Sequence, residues 1–395
     1  MKLIADGLKS LVTFDVKNDE IIQNFITVAE GSEMEILTAY SNICRILLCK
    51  NASLSQYVHD MMIFAESPLI QSYINSGNEM QKKAIEFDVE TLKALASTTA
   101  AQMKEFLSYR LIGDISRKLP EFEKGEFNYD ADYFIEQVRQ NGSGMFAKYK
   151  AFTYQAGQLK PVASPDTIRL SDLKKYEVQR KQILDNTLCF VNGQPANNVL
   201  LYGDRGTGKS STIKAMLNEF DGLRIVQLDK SEIPSLFELY DILGKSPLSF
   251  IIFIDDLVFN EDDDSFGFLK QALDGSLAVR PKNVAIYATT NRRHLIKETN
   301  SSRDADAVHR SDAVDDNMSL ADRFGLFVTF TAPTKETYLD IVSQIVKDKG
   351  LEIDEEQLRQ GAERFSLKRG GRSPRIARQY VEMLEGRLNS GLNLF

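Results

Sequence analysis

The chain has 395 residues, 43% of them hydrophobic, and a formal net charge of −8. That length exceeds one ordinary domain of about 100 to 200 residues, so two or three compact units with cores of their own are expected. The acidic balance argues against a constitutive nucleic-acid binder, which carries a clustered basic face, while leaving room for a local basic groove.

Three cysteines, Cys44, Cys49 and Cys189, show no metal-like spacing to a His pair, which argues against a zinc site or a disulfide framework. They read as buried free thiols in a reducing cytosol. The opening MKLIADGLKSLV breaks its apolar run at Asp6 and Lys9 and lacks the core of a signal peptide. No apolar run approaches the roughly 18 to 20 residues needed to span a bilayer. A soluble, cytoplasmic protein is expected.

From about Glu33 to Arg110 the chain is rich in Ala, Leu, Met, Glu, Lys and Gln, with apolar residues at three- and four-residue spacing and one proline, Pro68. This pattern predicts a helical bundle. Pro120 and EFEKGEFNYD mark a break, and NGSG (141–144) reads as a flexible joint. FAKYKAFTY (146–154) then interleaves Lys with aromatics, which suits either a strand or a base-stacking groove.

Beyond the joint come NVLLY (198–202), LRIVQL (223–228), SFIIFI (249–254), VAIYA (284–288) and LFVTF (326–330). Short apolar runs without alternation are strands buried on both faces, and five of them separated by helical segments predict a parallel five-stranded α/β sheet. Three helices follow Pro333, with starts near Thr334, Asp354 and Ser373. ETNSSRDADAVHRSDAVDDN (298–317) is nearly free of large apolar residues and reads as a mobile loop. The expected division is a helical region of unknown role (1–144), an α/β core of the nucleotide-binding type (145–332) and a helical C-terminal part (333–395).

LLYGDRGTGKSS (200–211) contains G-x-x-x-x-G-K-[ST] in Gly203, Gly206, Gly208, Lys209 and Ser210, directly after a strand and opening a helix. The glycines allow backbone N–H groups to point inward at phosphate oxygens, with Lys209 reaching the β and γ phosphates and Ser210 offering a hydroxyl to Mg2+. Asp204, Arg205, Thr207 and Ser211 complete the candidate cofactor-binding loop.

SFIIFIDDLVF places Asp255 and Asp256 at the carboxyl end of a buried strand, where open α/β sheets bind ligands. Asp255 is the candidate holder of a Mg2+-bound water and Asp256 the group that orients the attacking water. VAIYATTNRRH ends another strand in Thr289, Thr290 and Asn291. The neutral amide of Asn291 suits positioning of water, with helix capping as the competing reading. Arg292, Arg293 and His294 fit a solvated turn as well as a partner site.

In this order the motifs resemble an AAA+ ATPase. SLADRFGL (319–326) looks like an arginine-finger segment, which implies that Arg323 acts in a neighbouring subunit's site. GGRSPRIARQY (370–380) resembles the second sensor of the lid, with Ser373 as helix cap and Pro374 at the first helical position. Arg375 would face the γ-phosphate, with Arg372 and Arg378 as nearby alternatives.

More closely, NNVLLYGDRGTGKSS, DDLVF, RPKNVAIYATTNRRH, SLADRFGL and GRSPRIARQY together resemble the bacterial AAA+ family catalogued as domain of unknown function 815, over about 145–390. The resemblance implies ATP with Mg2+ on an AAA+ core and assembly into homo-oligomers. Two departures stand out. Asp256 takes the place of a Glu usual in AAA+ motors, which implies slow hydrolysis, although paired aspartates are usual in the resembled family. DLKKYEVQR (172–180) looks like the adenine-contacting segment, yet has Lys175 where glycine is common.

The expected function is an oligomeric, ATP-dependent conformational switch or remodeller of a protein partner, which the helical N-terminal region would bind. The alternative is a nucleic-acid-associated loader or initiator ATPase. VQLDKSEIPSLFELY (226–240) lacks the aromatic-glycine pair of a protein-threading pore, and no N-K-x-D segment marks a GTPase.

Overall fold

The computed structural model describes residues 1–111, 115–260, 264–274, 280–291, 296–297 and 323–393. The loop expected at 298–317, the Arg292, Arg293 and His294 turn, and residues 319–322 of SLADRFGL lie outside the described residues. The chain divides into two compact units, residues 1–149 with 245–248, and residues 150–244 with 249–395.

Among its described residues the first unit is all helical: α1 (Lys2–Lys9), α2 (Glu20–Glu30), α3 (Glu33–Lys50), α4 (Leu54–Phe64), α5 (Pro68–Ser76), α6 (Glu79–Ala96), α7 (Ala100–Ser108), α8 (Ile115–Lys118), α9 (Ala131–Asn141) and α10 (Met145–Lys148). Short polar side chains start these helices by taking up N–H groups that have no partner within the helix. Asp19 accepts from Ile21 N at 2.9 Å, Ser53 from Gln56 N at 3.1 Å and Asp130 from Tyr133 N at 2.9 Å. The apolar faces meet in one core around Phe25, Tyr40, Ile43, Leu92 and Phe134.

Two expectations change here. Cys44 is buried, but Cys49 and Cys189 are exposed. Cys49 follows Cys44 by five positions on α3, which at 3.6 residues per turn rotates it to another face of the helix. The NGSG segment is bonded into the helical unit: Gly144 N–H donates to Ala65 O at 3.0 Å and Gln71 to Ser143 Oγ at 2.6 Å.

The second unit is built on β1 (Ala151–Gln155), β2 (Gln158–Pro161), α11 (Glu177–Val191), β3 (Asn198–Gly203), α12 (Lys209–Glu219), β4 (Leu223–Leu228), α13 (Leu236–Leu243), β5 (Ser249–Ile254), β6 (Phe259–Asn260), α14 (Ser265–Asp274), β7 (Val284–Thr290), β8 (Ile296–Lys297) and β9 (Gly325–Phe330). The sheet has seven strands in the order β2-β1-β4-β5-β7-β3-β9, so the expected count of five is corrected. The five apolar runs are all present and parallel; β1 adds parallel to β4, and β2 pairs antiparallel with β1. β1 alternates in burial and β2 is mostly exposed, so neither carries the continuous apolar run of a central strand. β6 and β8 form a separate two-stranded pairing.

Phe152 and Tyr154 on β1 are each 1% exposed. Their rings therefore stand inside the fold, and the stacking-groove reading is set aside for these two aromatics.

On one face of the sheet Val199, Leu201, Ile251, Phe253 and Tyr287 pack with Ile183 and Phe190 of α11 and Ile213 and Met216 of α12. Three further helices, α15 (Lys335–Asp348), α16 (Glu355–Lys368) and α17 (Pro374–Asn389), close a smaller core around Tyr338, Ile341, Leu358, Ala377 and Tyr380 within this unit. Their N-caps are Thr334, Asp354 and Ser373, each accepting a hydrogen bond from the first turn.

Candidate functional site

The loop between β3 and α12 is shaped by what its glycines permit. Gly203 has φ +139°, and a Cβ there would lie 1.9 Å from Phe330 O. Gly206 has φ +74°, and a Cβ there would meet Ser373 Oγ at 2.8 Å. Side chains are thus excluded at both ends of the turn, which packs against β9 on one side and the lid on the other. Asp204 N–H donates to Phe330 O at 3.0 Å, and Thr207 Oγ1 donates back to Asp204 O at 2.8 Å.

Lys209 begins α12 and is only 6% exposed. Its ammonium donates to Gly203 O at 2.7 Å, Asp204 O at 2.8 Å and Asn291 Oδ1 at 2.7 Å. Three acceptors match its three hydrogens. Burial pushes this group below the usual lysine value, against the opposing pull of Asp204, Asp256 and Asp255, while the charge of Arg375 adds to the lowering.

β5 and β7 lie side by side and parallel, so their carboxyl ends deliver Asp255, Asp256, Thr289 and Asn291 to the same edge as the loop. One oxygen of Asp255 accepts from Ser210 Oγ at 2.6 Å and from Thr289 Oγ1 at 2.5 Å. Asp256 sits in the left-handed region at φ +53°. Its N–H donates to Thr289 Oγ1 at 2.9 Å, and its carboxylate accepts from Asn291 Nδ2 at 2.6 Å. Asn291 therefore bridges Lys209 and Asp256 with the two ends of one amide.

The lid meets the loop through α17, where Arg375 N–H donates to Gly206 O at 3.2 Å. Across from it, Leu173 follows a 3-10 turn at Leu170–Asp172. Lys175 and Tyr176 are consecutive left-handed residues at φ +61° and +62°. Tyr176 OH donates to Thr331 O at 2.6 Å, and its ring packs on Phe330 at 5.3 Å. The phenol is pushed up to about 12, by burial first and by the neighbouring Asp204 carboxylate second. Lys174 pairs with Asp348, and Lys175 with Asp340 at 3.5 Å, tying this segment to α15.

A cavity of about 540 Å³ lies among these parts. Of the residues nominated from sequence, Arg205, Gly206, Gly208, Lys209, Ser210 and Ser211 line it from the loop, Asp255, Asp256 and Asn291 from the strand ends, and Arg375 from the lid. Gly203, Asp204 and Thr207 stand behind the loop and do not line it. Arg372 pairs with Glu363 at 2.9 Å, whereas Arg378 lines the cavity beside Arg375. Arg323 precedes β9 by two residues. In the β3–β9 register Asn198 pairs with Gly325 and Gly203 with Phe330, so Arg323 stands beyond the amino ends of these strands, opposite the end that carries the loop. A six-residue strand separates it from the loop, a span of about 20 Å.

Thr289 and Leu173 were not assigned roles from sequence. Thr289 carried a usable signal, since it is a polar residue at the carboxyl end of a buried strand, the end at which such sheets bind ligands. Leu173 lies within DLKKYEVQR, the segment that resembles an adenine contact, but nothing in that run singled out this apolar residue.

The donor set fits Mg2+: a hydroxyl and a carboxylate, both hard oxygens, already stand in contact at Ser210 and Asp255. Among the described residues no cluster of three or more His, Cys, Asp or Glu could hold a metal without such help. Magnesium characteristically takes one or two carboxylates and completes its shell with phosphate and water. Among the described residues no helix is long and apolar enough to cross a membrane.

The chain is similar to two Arabidopsis thaliana proteins, AAA-ATPase At4g30250 (31% identity over 126 residues, 30% of this chain and 23% of that one) and AAA-ATPase At5g57480 (31% over 147 residues, 32% and 27%). It spans about a quarter of the length of these curated relatives. Among solved structures it is similar to the Thermotoga maritima RuvB Holliday junction branch migration motor, at 18% identity and a TM-score of 0.39, covering 57% of this chain and 68% of that one. A point variant of the same motor gives 18% and 0.38, covering 56% and 66%. The family described as "Protein of unknown function (DUF815)" matches residues 147–388, well over half of the chain. The protein thus belongs to the DUF815 family, and its seven-stranded, mostly parallel sheet with packed helices has the AAA+ P-loop fold.

Proposed function

We propose that the cavity binds ATP with Mg2+ and hydrolyses it, and that the protein works as an oligomeric, ATP-dependent conformational switch or remodeller of a protein partner. The observation that carries this reading is the continuous network from Ser210 through Asp255, Thr289, Asp256 and Asn291 to Lys209, lying under the lid arginines.

In this reading the loop's backbone N–H groups and the positive end of α12 face the phosphates. Lys209 turns from its carbonyl acceptors toward the phosphate oxygens. Ser210 and Asp255 hold Mg2+, which when bound neutralises charge on those oxygens. Asp256 orients and deprotonates the attacking water, and the amide of Asn291 fixes its position without adding charge. Arg375 and Arg378 bring positive charge from the lid. Arg323, held beyond the amino end of β9 and so away from the loop of its own chain, acts in a neighbouring subunit, which makes the active form a homo-oligomer. The helical unit, which presents Leu3, Met34 and Met80 to solvent, takes the part of partner binding in the cytoplasm.

The test is the hydrolysis rate per protomer as protein concentration rises, run beside Lys209→Ala and Arg323→Ala. A rate that rises with concentration and vanishes in both variants supports shared sites. A rate that stays flat in wild type, or survives in Arg323→Ala, sinks the subunit-shared mechanism. Failure of wild type to bind ATP sinks the nucleotide reading altogether.

A further inference from the structure

Asp204 follows the first glycine of the phosphate loop, yet its side chain does not face the cavity. Its carboxylate accepts the N–H of Ala332 at 2.6 Å. Ala332 belongs to residues 331–334, the link between the end of β9 and the start of α15. Asp204 also reaches the strand before the link, through its own N–H to Phe330 O at 3.0 Å. Its carbonyl is held by Lys209 Nζ at 2.8 Å and Thr207 Oγ1 at 2.8 Å. One residue therefore bonds the ammonium that would meet phosphate and the backbone on which the lid turns.

The remaining contacts close a circuit. Tyr176 OH holds Thr331 O, the neighbouring group of the same link. From the link, α15 to α17 lead to Arg375, whose N–H returns to Gly206 O on the loop. Lys209 has three hydrogens and three acceptors, so a phosphate that engages it must displace at least one of them. Where the acceptor given up is the Asp204 carbonyl, Thr207 Oγ1 alone still holds it, and the peptide that positions the Asp204 carboxylate, with its bond to Ala332, is loosened.

Resting on the nucleotide reading above, we propose that Asp204 is a positioning residue that couples phosphate occupancy of the loop to the lid link, through the Lys209–Asp204–Ala332 chain of hydrogen bonds. It touches no reacting atom. Its backbone shapes the loop while its side chain reports the loop's state to residue 332. A residue of another chemistry after Gly203 would leave the loop intact and the link ungripped.

The experiment measures amide hydrogen exchange over residues 330–337 in full-length protein, with and without ATP and Mg2+, for wild type, Asp204→Ala and Asp204→Asn. ATP affinity is measured in parallel by titration. Without nucleotide, Asp204→Ala is expected to speed exchange at Ala332 by about tenfold, the order of one charge-assisted hydrogen bond, while Asp204→Asn keeps an acceptor and recovers most of the protection. With ATP, wild type changes its exchange over the link and Asp204→Ala does not, although its affinity for ATP falls by no more than about threefold, since only the backbone of residue 204 belongs to the loop.

Three results overturn the proposal. The first is wild-type protection of Ala332 in nucleotide-free Asp204→Ala, and the second is an undiminished ATP-dependent change in a variant that still binds ATP. The third is a loss of ATP binding in step with the loss of protection, which would make Asp204 a ligand-binding group. Wild type that binds no ATP removes the nucleotide reading and the coupling together, while the nucleotide-free comparison still decides whether the Asp204–Ala332 bond exists.

Discussion

Lys209 Nζ donates to Asn291 Oδ1 across 2.7 Å, and the other end of the same amide donates to Asp256 at 2.6 Å. Asn291 is thus placed to sense the phosphate-facing cation and the water-facing acid at once. Asn291→Ala is expected to slow hydrolysis by about 10²-fold, the usual cost of removing one preorganised polar group, while ATP affinity falls only a few-fold. Single-turnover hydrolysis and equilibrium binding separate the two. Equal losses in both would show that the amide acts on Lys209 alone and has no part in positioning water.

Thr289 is 2% exposed, and its hydroxyl sits between the two acids, donating to Asp255 at 2.5 Å and accepting from Asp256 N at 2.9 Å. Removing it leaves the N–H of Asp256 without its acceptor and the Asp255 carboxylate without one donor. Thr289→Val is expected to cost about 1 to 3 kcal/mol of stability and to slow hydrolysis about tenfold or more. Thr289→Ser keeps the hydroxyl and is expected to restore the rate, with a smaller loss of stability from the missing methyl. If both variants slow hydrolysis alike, Thr289 serves packing and not the acids.

Much of the core was legible because buried parallel strands announce themselves. SFIIFI and VAIYATT are buried along almost their whole length, and no polar alternation obscures them. The lid starts were legible for a different reason: Thr334, Asp354 and Ser373 are short acceptors set before amphipathic segments, and each caps a helix. β1 was read only as one of two possibilities for FAKYKAFTY, because AFTYQ buries only Phe152 and Tyr154, and β2 escaped because its strand is mostly exposed. The direction of the Asp204 side chain was not legible for a related reason. A motif specifies which residues form a loop, but the direction of an exposed side chain is fixed by distant backbone, here Ala332.

Asp256 holds φ +53°, a conformation that asparagine and aspartate adopt more readily than other residues with a side chain. Asp256→Asn therefore removes charge without disturbing the backbone. It is expected to bind ATP with near wild-type affinity and to slow hydrolysis about 10²-fold or more, in the range of a lost general base. Asp256→Glu lengthens the acid but brings a side chain less suited to this backbone, at about 1 kcal/mol. Its melting temperature should fall below that of Asp256→Asn. A Glu variant that is both faster and equally stable would show that the left-handed turn places no constraint on the acid.

Lys175 and Tyr176 share nearly the same backbone, φ +61° and +62°, but glycine should affect them in opposite directions. A non-glycine residue in this region costs about 1 to 2 kcal/mol, and glycine's extra freedom in the unfolded chain returns about 0.5 to 1. Lys175 adds only a 3.5 Å ion pair with Asp340, both side chains being substantially exposed. Such a pair contributes a few tenths of a kcal/mol at most once solvent screening is counted. Lys175→Gly is therefore expected to stabilise by about 0.5 kcal/mol, about 1 to 2 °C in melting temperature for a unit of this size. Tyr176 bonds Thr331 O at 2.6 Å and packs its ring on Phe330. Tyr176→Gly forfeits both, an expected loss of about 3 kcal/mol. Calorimetry on the two variants decides the matter, because a loss at both positions would mean that the Lys175–Asp340 pair outweighs backbone strain in holding the segment to α15.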